Sequence, residues 1–146
     1  MPADQKKNHG VYWVGFKLLL EKEGKFLFLK TSQRGLMDLP GGRADSDEGK
    51  VPIKKILGRE IREELGEEVK YRLGGPVLQY RRYSPKYKIY VLITAYKADY
   101  LSGSIKLSQE HRGYEWIDPK NYKFTAENFP AKEACESFAD YFQNLK

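Results

Sequence analysis

The stretch Leu39-Pro40-Gly41-Gly42-Arg43-Ala44-Asp45-Ser46-Asp47-Glu48, followed by Arg59-Glu60-Ile61-Arg62-Glu63-Glu64-Leu65-Gly66, decides how this chain is read. Pro52 to Leu65 is expected to be a helix, with Pro52 near its first turn and Gly66 as its stop. At about 100° per residue, Glu60, Glu63 and Glu64 fall within one arc of about 100°. Leu57, Ile61 and Leu65 form an apolar stripe on the neighbouring arc. Such a helix docks by its apolar edge and presents three carboxylates beside it.

Those carboxylates are badly placed for stability. Like charges three and four residues apart repel by about 0.2–0.5 kcal/mol per pair. They also sit just before Gly66, where the helix dipole favours cations by about 0.3–1 kcal/mol. Two local rules broken at one place point to a site. A divalent cation resolves both conflicts, and carboxylate oxygens suit Mg²⁺. The plain alternative is a solvated acidic face paired by Arg59 and Arg62. Gly41 and Gly42 shift the balance, because glycines let backbone amides and carbonyls approach a ligand closely. Taken alone, they would be a simple turn.

Together these residues resemble the Nudix hydrolase signature, G-x5-E-x7-R-E-U-x-E-E-x-G-U with U aliphatic. Gly42-x5-Glu48 and Arg59-Glu60-Ile61-x-Glu63-Glu64-x-Gly66 match it, preceded by Leu39-Pro40-Gly41-Gly42. Ten residues instead of seven separate Glu48 from Arg59, which lengthens the loop around Gly49–Pro52. Glu67 replaces the last aliphatic position, and Val69 is expected to supply that contact.

The resemblance implies an α/β (α+β) fold, an α/β/α sandwich around a mixed β-sheet. It implies hydrolysis of a nucleoside diphosphate linked to another moiety: a nucleoside triphosphate, a nucleotide sugar or a dinucleoside polyphosphate. It also implies that Glu60, Glu63 and Glu64 hold Mg²⁺, with Mn²⁺ as a substitute, together with a carbonyl of the Gly41-Gly42 loop. Arg59 would orient a glutamate by a charge-assisted hydrogen bond. Glu110, in Gln109-Glu110-His111, would reach the metal or act as base, against the alternative of a solvated loop acid. His111 reads as a structural loop histidine, and Trp116 as core.

The rest of the chain fits one domain. It has 146 residues, 40% hydrophobic and 14% aromatic, which excludes disorder. Residues 1–9 are expected to form a loose tail and 10–146 a single Nudix-like domain. No run approaches the roughly 18 apolar residues of a membrane helix, and the polar start does not read as a signal peptide. One cysteine, Cys135, excludes an intrachain disulfide and fits a reducing, cytoplasmic setting. With two histidines and one cysteine a Cys/His zinc site is excluded, so oxygen ligands are expected.

Val11–Leu20 and Phe26–Leu29 read as a hairpin around Gly24, and Arg34–Asp47 as a loop. Gly74-Gly75-Pro76 reads as a turn. Val77–Tyr83 and Tyr87–Ala98 read as strands, and Tyr114–Ile117 as a short one. Ala131, Ala134, Cys135, Phe138, Tyr141, Phe142 and Leu145 repeat at helical spacing, with Cys135 a small hydrophobe in the buried stripe.

The net charge of +6 suits a polyanionic partner or simply a soluble surface. Tyr80–Lys88 carries Arg81, Arg82, Lys86 and Lys88 with Tyr80, Tyr83 and Tyr87 between them. Basic and aromatic residues together serve a nucleotide by phosphate pairing and base stacking. Arg81, Arg82, Tyr83 and Gly42 are therefore the candidate substrate contacts. Alternation puts Arg81 and Arg82 on opposite faces, so only one can line a given pocket. Three function classes compete: a Mg²⁺-dependent hydrolase, a non-catalytic nucleotide- or RNA-binding module, and a structural domain. The uncompensated acids favour the enzyme, with a nucleotide as partner and nucleic acid as the secondary alternative.

Overall fold

The computed structural model describes residues 8–32 and 34–145. Most of the expected N-terminal tail, residues 1–7, lies outside them. The elements are β1 (Tyr12–Lys22), β2 (Lys25–Thr31), β3 (Met37–Asp38), β4 (Gly41–Arg43), α1 (Ile53–Leu65), β5 (Lys70–Ser84), β6 (Ile89–Ser102), β7 (His111–Ile117) and α2 (Lys132–Gln143). The strands form one mixed sheet, ordered β3-β2-β1-β6-β5, with β4 added to β1 and β7 to β2.

β1 organises this sheet. Its run Phe16–Leu20 is buried on both faces, as a central strand requires. On one edge it pairs in parallel with β6, from Tyr12↔Tyr90 to Glu21↔Asp99. On the other edge it changes partner. Gly15–Lys17 pair with β4, whereas Glu21 and Lys22 pair with β2. The expected hairpin is thus real only at its tip.

Alternation along β1 divides the core. Leu18 and Leu20 pack with Ile56, Leu57, Ile61 and Leu65 of α1 on one face. Leu19 packs with the α2 side, where Phe138 meets Phe28 and Tyr80 at 5.3 and 5.4 Å between ring centroids. The layers are helix, sheet, helix, an α/β/α sandwich. Val69 is buried beside Leu65 and supplies the apolar contact that Glu67 cannot. Cys135 is buried in the α2 stripe, while Leu145 beyond the helix is exposed. Trp116 packs partly buried against the α1-side core.

Three local expectations are corrected. The segment Arg34–Asp47 is not all loop, because β3 and β4 pair with β2 and β1. Gly74-Gly75-Pro76 is no chain reversal but a bulged part of β5, where the register slips against β6. β5 ends the strand order, so proline's missing N–H is tolerated on its free edge. β6 begins at Ile89 and not at Tyr87, because Lys88 adopts a positive φ of 52°. No helix among the described residues is long and apolar enough to cross a membrane.

Phe138 is fully buried between three aromatic rings. Phe138→Ala should lower unfolding free energy by about 3–5 kcal/mol in urea titrations. A loss below about 1 kcal/mol would contradict the assigned packing of α2.

Candidate active site

The partner change along β1 leaves β4 lying against the acidic face of α1. A Cβ on Gly42 would displace the Glu60 carboxylate, and one on Gly41 would clash with the Phe16 carbonyl of β1. Gly41 has φ +128°, a value that glycine alone adopts readily. In that conformation its N–H donates to Glu64 Oε2 at 2.9 Å, and its carbonyl accepts from Lys17 Nζ at 3.1 Å.

Glu64 is only 7% exposed. Burial pushes its carboxyl up to about 7, although Lys17 and the Gly41 amide pull it back. Burial also raises Glu60, against the opposing pull of Arg59. Glu63 is more exposed and faces Arg59 Nη1 at 3.1 Å.

Arg59 is the hub of the outer wall. It holds Glu48 by two bonds, at 2.7 and 3.0 Å, and lies 3.1 Å from Glu60. That fork keeps the Glu48 carboxyl below its ordinary range and raises the guanidinium further. The long spacing between Glu48 and Arg59 is absorbed locally. Ser46–Glu48 form a 3-10 turn, Glu48 Oε1 accepts from the Asp45 N–H, and the Glu48 carbonyl accepts from the Val51 N–H. Glu48 therefore still reaches the helix.

These groups line a cleft of about 630 Å³. Arg59, Glu60, Glu63, Glu64, Glu110, Gly41, Gly42 and Arg82 all border it. Arg81 and Tyr83, also expected as substrate contacts, are not among its lining residues. Arg81 hydrogen-bonds Glu133 of α2, with Nη2 2.9 Å from Oε1. Tyr83 packs on Tyr90 at 4.9 Å. Arg82 stands opposite Val91, another cleft residue, and shares its face of the sheet.

Three cleft residues escape the sequence reading. Lys17 is buried and pairs with buried Asp38 at 3.3 Å, which Arg82 also approaches at 3.5 Å. A charge inside the apolar run Val11–Leu20 was the available signal for Lys17. His111 is the third. It lines the cleft, and one of its ring nitrogens lies within 4.8 Å of carboxylate oxygens of Glu64 and Glu110. Its Nδ1 is buried without a hydrogen-bond partner, as is Ser108 Oγ nearby in the lining. Burial pushes the His111 imidazole below its ordinary range, against the opposing pull of Asp38 and Glu110.

No family model matches the chain. Nucleoside triphosphatase NudI of Klebsiella pneumoniae is 32% identical over 125 residues, covering 74% of this chain and 85% of that protein. The chain belongs to the Nudix hydrolase family. Solved Nudix-type structures agree. The MutT protein of Methanosarcina mazei aligns with TM-score 0.70 at 25% identity, over 94% of each chain. An ADP-ribose pyrophosphatase of Streptococcus suis shares the fold, with TM-score 0.64 at 17% identity over 91% of each chain. The enzyme reading of the sequence, a Nudix-type nucleotide pyrophosphohydrolase, holds.

The raised Glu64 carboxyl makes a signed prediction for the metal-free protein. Between about pH 4.5 and 7 the folded state binds more protons than the unfolded state, so stability falls as pH rises. In EDTA the melting temperature should drop across this window, by an amount equivalent to at most on the order of 3 kcal/mol. Glu64→Gln keeps an oxygen for the Gly41 amide and should flatten that slope. An equal slope in the variant would contradict the burial argument.

Proposed function

We propose that this chain is a divalent-metal-dependent hydrolase of the pyrophosphate linkage in a nucleoside diphosphate joined to another moiety. Nucleoside triphosphates, nucleotide sugars and dinucleoside polyphosphates are the candidate substrates. The NudI relative, named a nucleoside triphosphatase, favours the first. The observation that carries the reading is the buried Glu64 carboxylate, clamped by the Gly41 amide inside a cleft shared with Glu60, Glu63 and Glu110. Arg59 and the Gly41 amide compensate these acids only in part, and the donor set fits an oxygen-preferring cation.

In this reading Glu60, Glu63 and Glu64 hold Mg²⁺ or Mn²⁺, joined by the Gly41 carbonyl once Lys17 yields it. When bound, the ion neutralises the diphosphate and makes a bound water more acidic. Arg59 fixes the carboxylates by gripping Glu48, Glu60 and Glu63. Arg82 pairs with a substrate phosphate, and Gly42 borders the same cleft, its missing side chain leaving room for the Glu60 carboxylate. A cleft carboxylate takes the proton as water attacks phosphorus. Glu110 either receives that proton or joins the metal set. A cytoplasmic setting belongs to the same proposal, supported by the single, buried Cys135.

The binding-module alternative relied on a free basic strand. Arg81 is tied to Glu133, which leaves that strand no continuous basic stripe. Phosphate release from nucleoside triphosphates, nucleotide sugars and dinucleoside polyphosphates, with and without Mg²⁺, tests the proposal. Glu64→Gln should lower kcat at least 100-fold while the protein stays folded. Wild-type turnover in that variant at saturating Mg²⁺ would remove the metal reading.

The two arginines should separate cleanly. Arg82→Ala is expected to raise KM several-fold with kcat little changed, the mark of a contact used equally in ground and transition states. Arg81→Ala should keep KM and lose only a small amount of stability. Equal, salt-sensitive KM increases in both would point to a diffuse attracting field.

A further inference from the structure

Only two buried side-chain polar atoms among the described residues lack a hydrogen-bond partner, Ser108 Oγ and His111 Nδ1. Both residues line the cleft. Leaving such atoms unpaired costs free energy, so two of them at one place call for a ligand. His111 also forms a cluster with Glu64 and Glu110, whose potential ligand atoms all lie within 4.8 Å of one another. A divalent ion about 2.0–2.2 Å from each donor would draw these atoms together around it.

The cluster differs in kind from the acids of α1. It joins a helix carboxylate to Glu110, in the turn before β7, and His111, the first residue of β7, and it includes a nitrogen donor. Glu63 is not a member of this cluster. We infer that Glu64, Glu110 and His111 form a mixed nitrogen–oxygen site that takes a first-row transition-metal ion in preference to Mg²⁺. Imidazole favours such ions, whereas Mg²⁺ prefers an all-oxygen octahedral shell rich in water. The site resolves the two roles left open for Glu110 in favour of ligation, and it rests on the reading of this cleft as a divalent-metal site.

The test uses the full chain, stripped of metal and titrated with Mn²⁺. Free aqueous Mn²⁺ is followed by electron paramagnetic resonance, and nitrogen coupling by electron spin-echo modulation. Mg²⁺ affinity is read by competition. The wild type should show bound Mn²⁺ with one imidazole nitrogen coupled to it. His111→Gln should lose that coupling and weaken Mn²⁺ binding at least tenfold, with Mg²⁺ affinity nearly unchanged. Glu110→Gln should weaken Mn²⁺ binding but keep the nitrogen signature. The chain's other histidine is His9, so His9→Gln serves as the control and should change nothing. Bound Mn²⁺ without nitrogen coupling in the wild type overturns the inference. Equal losses of Mn²⁺ and Mg²⁺ affinity in His111→Gln, or no Mn²⁺ binding at all, do the same. Phosphate release in Mg²⁺ is scored separately. Nitrogen-coupled Mn²⁺ with no release from any substrate would fault the hydrolase reading and leave the site standing. Release in Mg²⁺ without nitrogen coupling would do the reverse.

Discussion

One hydrogen bond ties the layers of this molecule to its chemistry, the donation from the Gly41 N–H to the Glu64 carboxylate. It links β4, the short strand that takes over the edge of β1, to the last turn of α1. Its geometry requires a glycine at positive φ on one side and a carboxylate withdrawn from water on the other. Without it, Glu64 would be a buried acid with no hydrogen bond to its carboxylate among the described residues. With it, the carboxylate is positioned, but its charge is not fully compensated. That residual demand is what a cation would meet.

The rest of the cleft can be read as charge arranged around that point. Lys17 and Arg82 share Asp38 on the sheet side. Arg59 gathers Glu48, Glu60 and Glu63 on the solvent side. Glu64 lies between the two groups and is paired within neither. Arginine thus compensates the outer acids, whereas burial raises the carboxyl of the innermost one, as the proposed exchange of a proton for a metal ion requires.

Much of this was legible before any fold was known, and for identifiable reasons. The helix of Ile53–Leu65 carries a strict apolar stripe and a glycine stop, so its ends and its buried edge followed from periodicity. The acids beside that stripe broke propensity rules, which marked them as a site. Arg81 and Arg82 could be separated onto opposite faces by alternation. Which one faced the cleft depended on pairing with β6 and on Glu133 in a distant helix, and no local pattern carries that. Gly74-Gly75-Pro76 looked like a reversal because edge position, which excuses a proline, is a property of the whole sheet. Lys17 drew no comment, and His111 read as a loop histidine, for a related reason. A lysine in an apolar strand and a histidine in a loop acquire meaning only from the residues that folding sets against them.

The most direct measurement of the central claim is the proton balance of metal binding. Calorimetric titration of Mg²⁺ into the metal-free protein, in two buffers of different ionisation enthalpy, counts protons released per ion. If Glu64 is a buried carboxyl that titrates near 7 and gives up its proton to a cation, release should be large at about pH 6 and fade to nothing by about pH 9. Glu64→Gln should release markedly fewer protons at about pH 6. Proton release that is absent at every pH, while Mg²⁺ still binds, would contradict the claim that this carboxylate is the centre of the site.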